Sequence, residues 1–232
     1  GVTIAFAMEC FENELISVED TGGLDLRFGN GEALVRAVEM IAKREAIGDL
    51  LAEGSYKAAQ QIGGGSEAWS VSAKAQEYPM HEPRLKRGLA IGYAVSPTGA
   101  DHCHSLHDTG LVNPDEEGFS QNGGLRAMGV LEPVPLEDLG PAKVRAALLH
   151  SIRMTTGNCL MMCLFVPWSN DELVRLVRAA TGWDVTTYEL YKVGERAWTL
   201  ARLFNVREGF TRGDDHLAAR SYQPTTSGAL SE

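Results

Sequence analysis

The run Asp101-His102-Cys103-His104-Ser105-Leu106-His107-Asp108 holds three of the chain's six histidines, two carboxylates and a thiol within eight residues, just after the turn Ser96-Pro97-Thr98-Gly99-Ala100. Ionisable groups at this density fit poorly in an apolar core, so the run marks a polar site. Imidazoles that titrate near pH ~6.5 can shuttle protons or ligate a metal, and spacing alone leaves both open. His104 and His107 with Asp108 could hold one zinc or iron, which would make the protein a mononuclear-metal hydrolase working through the His102 to Asp108 cluster. The sequence lacks the HExxH pattern and any second histidine cluster that would fix such a centre. A loop whose histidines bond to neighbouring backbone is the plain alternative.

Cys159 and Cys163 lie four apart and would share a face if helical. A lone CxxxC supplies two of the four ligands a tetrahedral centre needs, so taken alone the pair reads as two buried thiols. Cys10, on an apolar stretch, reads as core. The acidic segments Asp20 to Asp25 and Asp214-Asp215 read as solvated turns or caps.

Helical patterns position these groups. Val2 to Phe11 forms an apolar helix, and after a polar, glycine-rich stretch from Ser17 to Gly31, Leu34, Val38 and Ile41 recur at i, i+4 and i+7 as a buried face. Asp49 can cap a helix through about Gln61, which Gly63-Gly64-Gly65-Ser66 stops. That triple glycine is the best boundary between two units. Trp69 to Ala73 alternates as a short strand. Asp108 to Pro141, rich in Gly, Pro, Asn and acidic residues, reads as long surface loops. Pro141 suits the first turn of a helix through Met154, interrupted at Thr155-Thr156-Gly157. The chain then resumes over Asn158 to Cys163 and stops at Pro167. Ser169 can cap a helix ended by Thr181-Gly182. From about Thr187, Leu190, Val193, Ala197, Leu200 and Phe204 step along one long helix. The fold class is mainly α, as two packed helical domains with long loops and little strand. The division falls at 1–66 and 67–232.

Composition excludes several partners. Against 21 basic residues stand 31 acidic ones, and the net charge of -10 opposes attraction to nucleic acid or anionic lipid. No apolar run approaches the roughly 20 residues that span a bilayer, and the start has no secretory pattern. Four scattered cysteines do not make a disulfide framework, so a reducing, cytoplasmic setting is expected. The first residue is Gly1 rather than Met, and the chain reads as a piece of a longer one.

Several stretches together resemble the aldehyde ferredoxin oxidoreductase family of tungsten or molybdenum bis-pterin enzymes. They are Val2-Thr-Ile-Ala-Phe-Ala-Met-Glu9, Ile47-Gly-Asp-Leu-Leu-Ala-Glu-Gly54, Gly92-Tyr-Ala-Val-Ser-Pro-Thr-Gly-Ala-Asp-His102, Cys163-Leu-Phe165, Gly194-Glu-Arg196 and Phe204-Asn-Val-Arg-Glu-Gly209. They follow family order across nearly the whole chain. The resemblance implies the C-terminal helical domains of such an enzyme, 1–66 being the remainder of the middle domain and 67–232 the last domain, truncated at its end. An N-terminal domain of the same chain, with a CxxCxxxC group giving three cluster cysteines, would lie upstream.

The implied activity is oxidation of a small aldehyde to its carboxylic acid, with electrons passing through a 4Fe-4S cluster to ferredoxin or another electron-transfer protein. A homodimer is compatible with it, and the isolated fragment is expected to be inactive. His102 matches the family histidine near the metal, as proton donor or substrate-orienting group, a role that fits a reaction moving protons with two electrons. Asp101 would orient that ring or meet the pterin, and His104 stands where other members often have a basic residue near the cofactor. The family's second pterin motif, usually DxxGLC, falls on Asn158-Cys-Leu-Met-Met-Cys163. Cys163 would be the cluster's fourth ligand, while Asn158 and Met162 occupy pterin-facing positions of the motif. Here Asn158 replaces a carboxylate, and Met161-Met162 replaces Gly-Leu. Asp20 to Asp25 has the letters of the first pterin motif but follows the first helix instead of preceding it, and is not given that role. A non-catalytic helical interaction domain is the remaining alternative.

Overall fold

Val2–Glu12 (α1) is apolar almost all round, and Ile4, Phe6, Ala7, Met8, Cys10 and Phe11 are all buried. A helix without a polar face belongs at the centre of a core. In the computed structural model, which describes residues 1–112, 125 and 129–225, α1 is the centre of the first of two units. This unit comprises residues 1–80, 98–100 and 216–225. Around α1 stand α2 (Gly31–Lys43), α3 (Ile47–Leu51) and α4 (Ser55–Ile62), with a two-residue hairpin, β1 (Ser72–Ala73) against β2 (Gln76–Glu77). Near the end of the described chain, the Tyr78 hydroxyl accepts from Ala218 N at 2.8 Å and meets Ser221 Oγ at 3.1 Å.

Two sequence expectations change here. The buried face of α2 is Ala33, Ala37 and Met40, whereas Leu34 and Val38 are 41% and 51% exposed. The reason lies in α3: a Cβ on Gly48 would stand 2.2 Å from Met40 C, so the helices approach backbone to backbone, which small residues permit. The expected helix from Asp49 to Gln61 is two helices, broken at 52–54 where Gly54 takes φ +86°. Asp49 lies inside α3 and pairs with Arg44 at 2.8 Å instead of capping. Gly63 to Gly65 do stop α4, as a turn within this unit.

The second unit comprises residues 81–97 and 101–215. It holds α5 (Arg87–Val95), α6 (Pro141–Cys159), α7 (Asn170–Thr181) and α8 (Thr187–Arg207). Pro141 opens α6 as expected, but the helix runs past Met154 to Cys159. Thr155 and Thr156 stay within the helix, and their hydroxyls donate to the carbonyls of Ser151 and Ile152, four residues back. Ser169 caps α7 in a reciprocal capping box with Glu172, and Gly182 at φ +73° ends it. α8 begins with a second such box, Thr186 with Glu189. Only its first half is packed, since Leu190 is buried while Leu200 and Phe204 are 66% and 61% exposed.

The stretch before α6 is more than surface loop. Leu111, Leu125, Val130 and Val134 are buried with Leu106, Ala146 and Ala147, while residues 113–124 and 126–128 lie outside the described residues. The molecule is mainly α, with the two-residue hairpin the only sheet among the described residues. No described helix is long and apolar enough to cross a membrane.

Candidate active site

The segment 101–108 is clamped between α5 and α6. On the α5 side, a Cβ at Gly92 would lie 2.2 Å from Ser105 Oγ, so only glycine lets the segment seat there. Asp108 is fully buried, and its carboxylate accepts from Gly88 N at 2.8 Å and Leu89 N at 2.9 Å, covering free amides of the first turn of α5. On the α6 side, Lys143 is equally buried and ion-paired with Asp108, and it also donates to Pro135 O at 2.8 Å. Ser151 Oγ donates to His104 O at 3.0 Å. Asp108 is therefore committed to the fold and is not a free metal ligand.

Within the clamp, Asp101 organises its neighbours. Its carboxylate accepts from Cys103 N at 2.6 Å and bonds His104 Nδ1, and its carbonyl accepts from Ser105 Oγ at 2.7 Å. The bond to His104 is the main reason that the Asp101 carboxyl is held down at about 2. His104 Nε2 in turn meets Asn158 Nδ2 at 2.6 Å. A carboxylate–imidazole–amide chain thus joins Asp101, His104 and Asn158, three residues 57 positions apart at the extremes. The Asn158 amide nitrogen thus faces the ring nitrogen that Asp101 leaves open, so both nitrogens of His104 are engaged.

The other histidines form a second group. The His102 and His107 ring centroids are 5.9 Å apart, and His81 lies 5.1 Å from the first and 4.6 Å from the second. His107 Nε2 bonds to His102 O at 3.2 Å. Together with His150 of α6 they line a cleft of about 760 Å³, which also takes in Arg153 and the apolar Met154, Leu164 and Phe165. Burial lowers the titration of His81 and His107, with Lys86 adding to the effect, and brings His150 down to about 3 with help from Arg153. Burial, then Asp101, raises the Cys103 thiol, which keeps it protonated.

Asn158, in the last turn of α6, and Cys163, in the turn that follows, are both exposed. They border a small pocket whose wall shares Arg153, Met154 and Leu164 with the histidine cleft. Cys159 is exposed too, so neither cysteine of the pair is the buried thiol that spacing alone suggested, and they are not on one helix face because α6 ends at Cys159. Met162 packs against the cluster of Leu173, Val177 and Leu190. Cys10 is fully buried, its thiol pushed up to about 11 chiefly by burial. His81 and His150 carry no motif and were invisible as site residues.

A family model described as aldehyde ferredoxin oxidoreductase, domains 2 & 3, matches residues 1–232. The chain belongs to this family. Tungsten-containing aldehyde ferredoxin oxidoreductase of Pyrococcus abyssi is 34% identical over 214 residues, 90% of this chain and 32% of that protein. The Pyrococcus furiosus protein of the same name is 34% identical over 224 residues, 95% of this chain and 34% of its own length. This chain thus spans about a third of those relatives. The aliphatic sulfonate oxidoreductase, WOR-like subunit of Pyrococcus furiosus is 32% identical over 108 residues, covering 44% of this chain and 17% of that protein. In fold, the chain resembles the active site complex BamBC of benzoyl coenzyme A reductase, with a TM-score of 0.69 at 22% identity over 99% of this chain and 38% of that one.

For an aldehyde ferredoxin oxidoreductase, the turn 158–163 gives the test of fit for the family's cofactors. Met161, at the motif's glycine position, adopts φ +57°, the left-handed conformation that glycine takes without strain. Met162, at the motif's leucine position, packs as a leucine would. Both letters therefore describe the turn itself. Cys163 is a free, exposed thiol beyond it, suited to supply one thiolate to a cluster. Asn158 keeps a carbonyl oxygen for a donor such as a pterin amino group, without the charge of a carboxylate.

Proposed function

We propose that the protein carrying this chain oxidises small aldehydes to carboxylic acids, using tungsten or molybdenum held by two pterins, and delivers the electrons through a 4Fe-4S cluster to ferredoxin in the cytoplasm. The observation that carries this reading is the shared wall of Arg153, Met154 and Leu164, with His102 on one side and Asn158 and Cys163 on the other. When bound, the metal centre supplies the two-electron couple and the cluster the one-electron path outward. The division of labour is the usual one, in which the cofactor carries the redox chemistry and the protein positions, orients and excludes water.

The balance RCHO + H₂O → RCOOH + 2 H⁺ + 2 e⁻ leaves protons for side chains to manage. His102 is placed to move them, because it faces the cleft and its backbone carbonyl accepts from His107 Nε2. Asp101 and Asn158 hold the His104 ring from both ends, giving the cofactor side of the segment one fixed donor and acceptor pattern. Met154, Leu164 and Phe165 supply the apolar part of the cleft lining, against which the substrate's carbon chain would lie.

The test uses the protein with its native upstream sequence, assayed for aldehyde-dependent reduction of ferredoxin. His102→Gln is expected to lower kcat by about 10² to 10⁴, the usual worth of a general acid–base group, with metal and iron content unchanged. A metal-loaded protein that reduces no acceptor with any small aldehyde would overturn the reading.

A further inference from the structure

We propose that Asp101, His102 and Cys103 form a site for zinc or a divalent cation of like chemistry, and that the cation, by taking the His102 ring, switches off the proton transfer assigned to that residue. The binding stands without the reading above, whereas the effect on turnover rests on it.

A carboxylate oxygen, an imidazole nitrogen and a sulfur from these three consecutive residues lie within 4.8 Å of one another, the only such grouping of metal-ligating side chains among the described residues. All three residues are partly exposed, and His102 and Cys103 line the cleft, so a cation reaches them from solvent. This is not the ligand set that spacing suggested, since His104 Nδ1 is taken by Asp101 and Asp108 by Lys143. Each donor is prepared for the role. The His102 carbonyl meets His107 Nε2, and no hydrogen bond among the described residues commits the His102 ring. Asp101 uses one oxygen on Cys103 N at 2.6 Å and the other on His104 Nδ1, and lone pairs remain because a carboxylate offers about four acceptor sites. Asn158 backs the His104 ring in turn, the kind of outer support that orients a ligating carboxylate. The Cys103 thiol bonds to the Asp101 carboxylate, which with burial keeps it protonated on its own. A dication reverses that balance: the metal–sulfur bond forms as the thiol proton leaves to solvent. The carboxylate and thiolate then offset the two positive charges, with His102 bound as the neutral ring. The cations around the cleft bear elsewhere, Lys86 on His81 and His107, and Arg153 on His150. Mixed sulfur, nitrogen and oxygen donors select zinc over magnesium or calcium, and three protein ligands leave a fourth tetrahedral position to water.

The cofactor-loaded protein with its native flanking sequence is equilibrated with zinc chloride and dialysed, and its zinc content is compared with that of Cys103→Ser, His102→Gln and Cys159→Ser. The wild type and Cys159→Ser are expected to keep a stoichiometric zinc that a chelator removes. Cys103→Ser and His102→Gln are expected to bind it at least about tenfold more weakly, no less than the loss of an outer support costs. Zinc-edge X-ray absorption of the wild type should show one sulfur neighbour among nitrogen and oxygen, a readout that stands whether or not the variants fold. Zinc kept with equal affinity in Cys103→Ser or His102→Gln, zinc lost only in Cys159→Ser, or a shell without sulfur overturns the proposal. Bound zinc is also expected to lower aldehyde-dependent reduction of the acceptor by at least about tenfold, with recovery on chelation. Full turnover while both residues hold zinc overturns the switch and, with it, the proton role of His102, although the metal site stands. If no aldehyde is oxidised at all, the aldehyde reading alone has failed, and zinc content and absorption still decide the site.

Discussion

His150 stands on α6 with its Nδ1 shut away from solvent and unpaired, so the native state holds this imidazole neutral. In the unfolded chain it takes a proton near the ordinary 6.5, whereas in the folded chain it does so only at about 3. Between those values the unfolded state binds more protons, so stability rises with pH there and falls as the solution is acidified below 6.5. The slope is about 1.4 kcal/mol per pH unit from this one group, and it flattens below the folded value. Urea midpoints of the wild type and of His150→Leu, taken at pH 7 and pH 4.5, should differ in their pH dependence: the variant loses less stability on acidification. Equal losses would mean that water reaches the ring and that its neutrality is not enforced by the fold. Asp108 and Lys143 present the opposite case, because there both partners are buried together and each satisfies the other. Histidines 81, 107 and 150 have no such partner carboxylate among the described residues lining the cleft, whereas a His102 ring nitrogen lies within 4.8 Å of the Asp101 carboxylate.

At the scale of elements, the family landmarks turn out to be places where two segments touch. Gly194 lets α8 meet α6, since a Cβ there would lie 2.2 Å from Thr156 Oγ1 and 2.4 Å from Ile152 O. Asn205 of α8 donates to Pro97 O at 2.7 Å, holding the chain just past the end of α5. The turn after α6 has the opposite history, a glycine position filled by Met161, whose side chain is 92% exposed. A left-handed conformation costs a non-glycine residue roughly 1–2 kcal/mol. Met161→Gly is therefore expected to stabilise the protein by about 1 kcal/mol in chemical denaturation, and no gain would show that the turn relaxes to another conformation in solution. Such local devices explain what the sequence made readable. Helix starts were legible where a capping residue marks them, as at Pro141 and Ser169, and so were the glycine stops at Gly63 and Gly182. The buried face of α2 was not, because apolar size and periodicity favoured Leu34 and Val38, whereas the close approach of Gly48 selected the alanines. The extent of α6 was missed because Thr-Thr-Gly reads as a break, whereas in the fold Thr156 is buried with its hydroxyl between Ile152 O and Leu190 O of α8. In the site, the dense run 101–108 was visible from composition, but its tie to Asn158 and the arrival of His81 and His150 are tertiary facts without a local pattern.

At the scale of the whole molecule, the chain covers about a third of its relatives, and one of its four cysteines is proposed to serve a group whose other thiolates lie outside it. The fold sorts those cysteines by availability. Cys10 is sealed in the core with its thiol raised to about 11, and Cys103 is raised by burial and by Asp101. Cys159 and Cys163 are both exposed, so exposure alone does not choose between them. What separates them is the turn: Cys159 ends α6, whereas Cys163 lies beyond the left-handed Met161, with Met162 anchored behind it. A cluster ligand must be fixed in direction, because four thiolates have to converge on one cubane. In the protein with its native flanking sequence, Cys163→Ser should remove the visible iron–sulfur absorbance and most of the bound iron, while Cys159→Ser should leave both. The side chain of Cys163 lies outside the buried core, so circular dichroism should show the helices intact in either variant. Retention of the cluster in Cys163→Ser with its loss in Cys159→Ser would move the ligand to the helix end and reverse the orientation of the turn toward the cofactor.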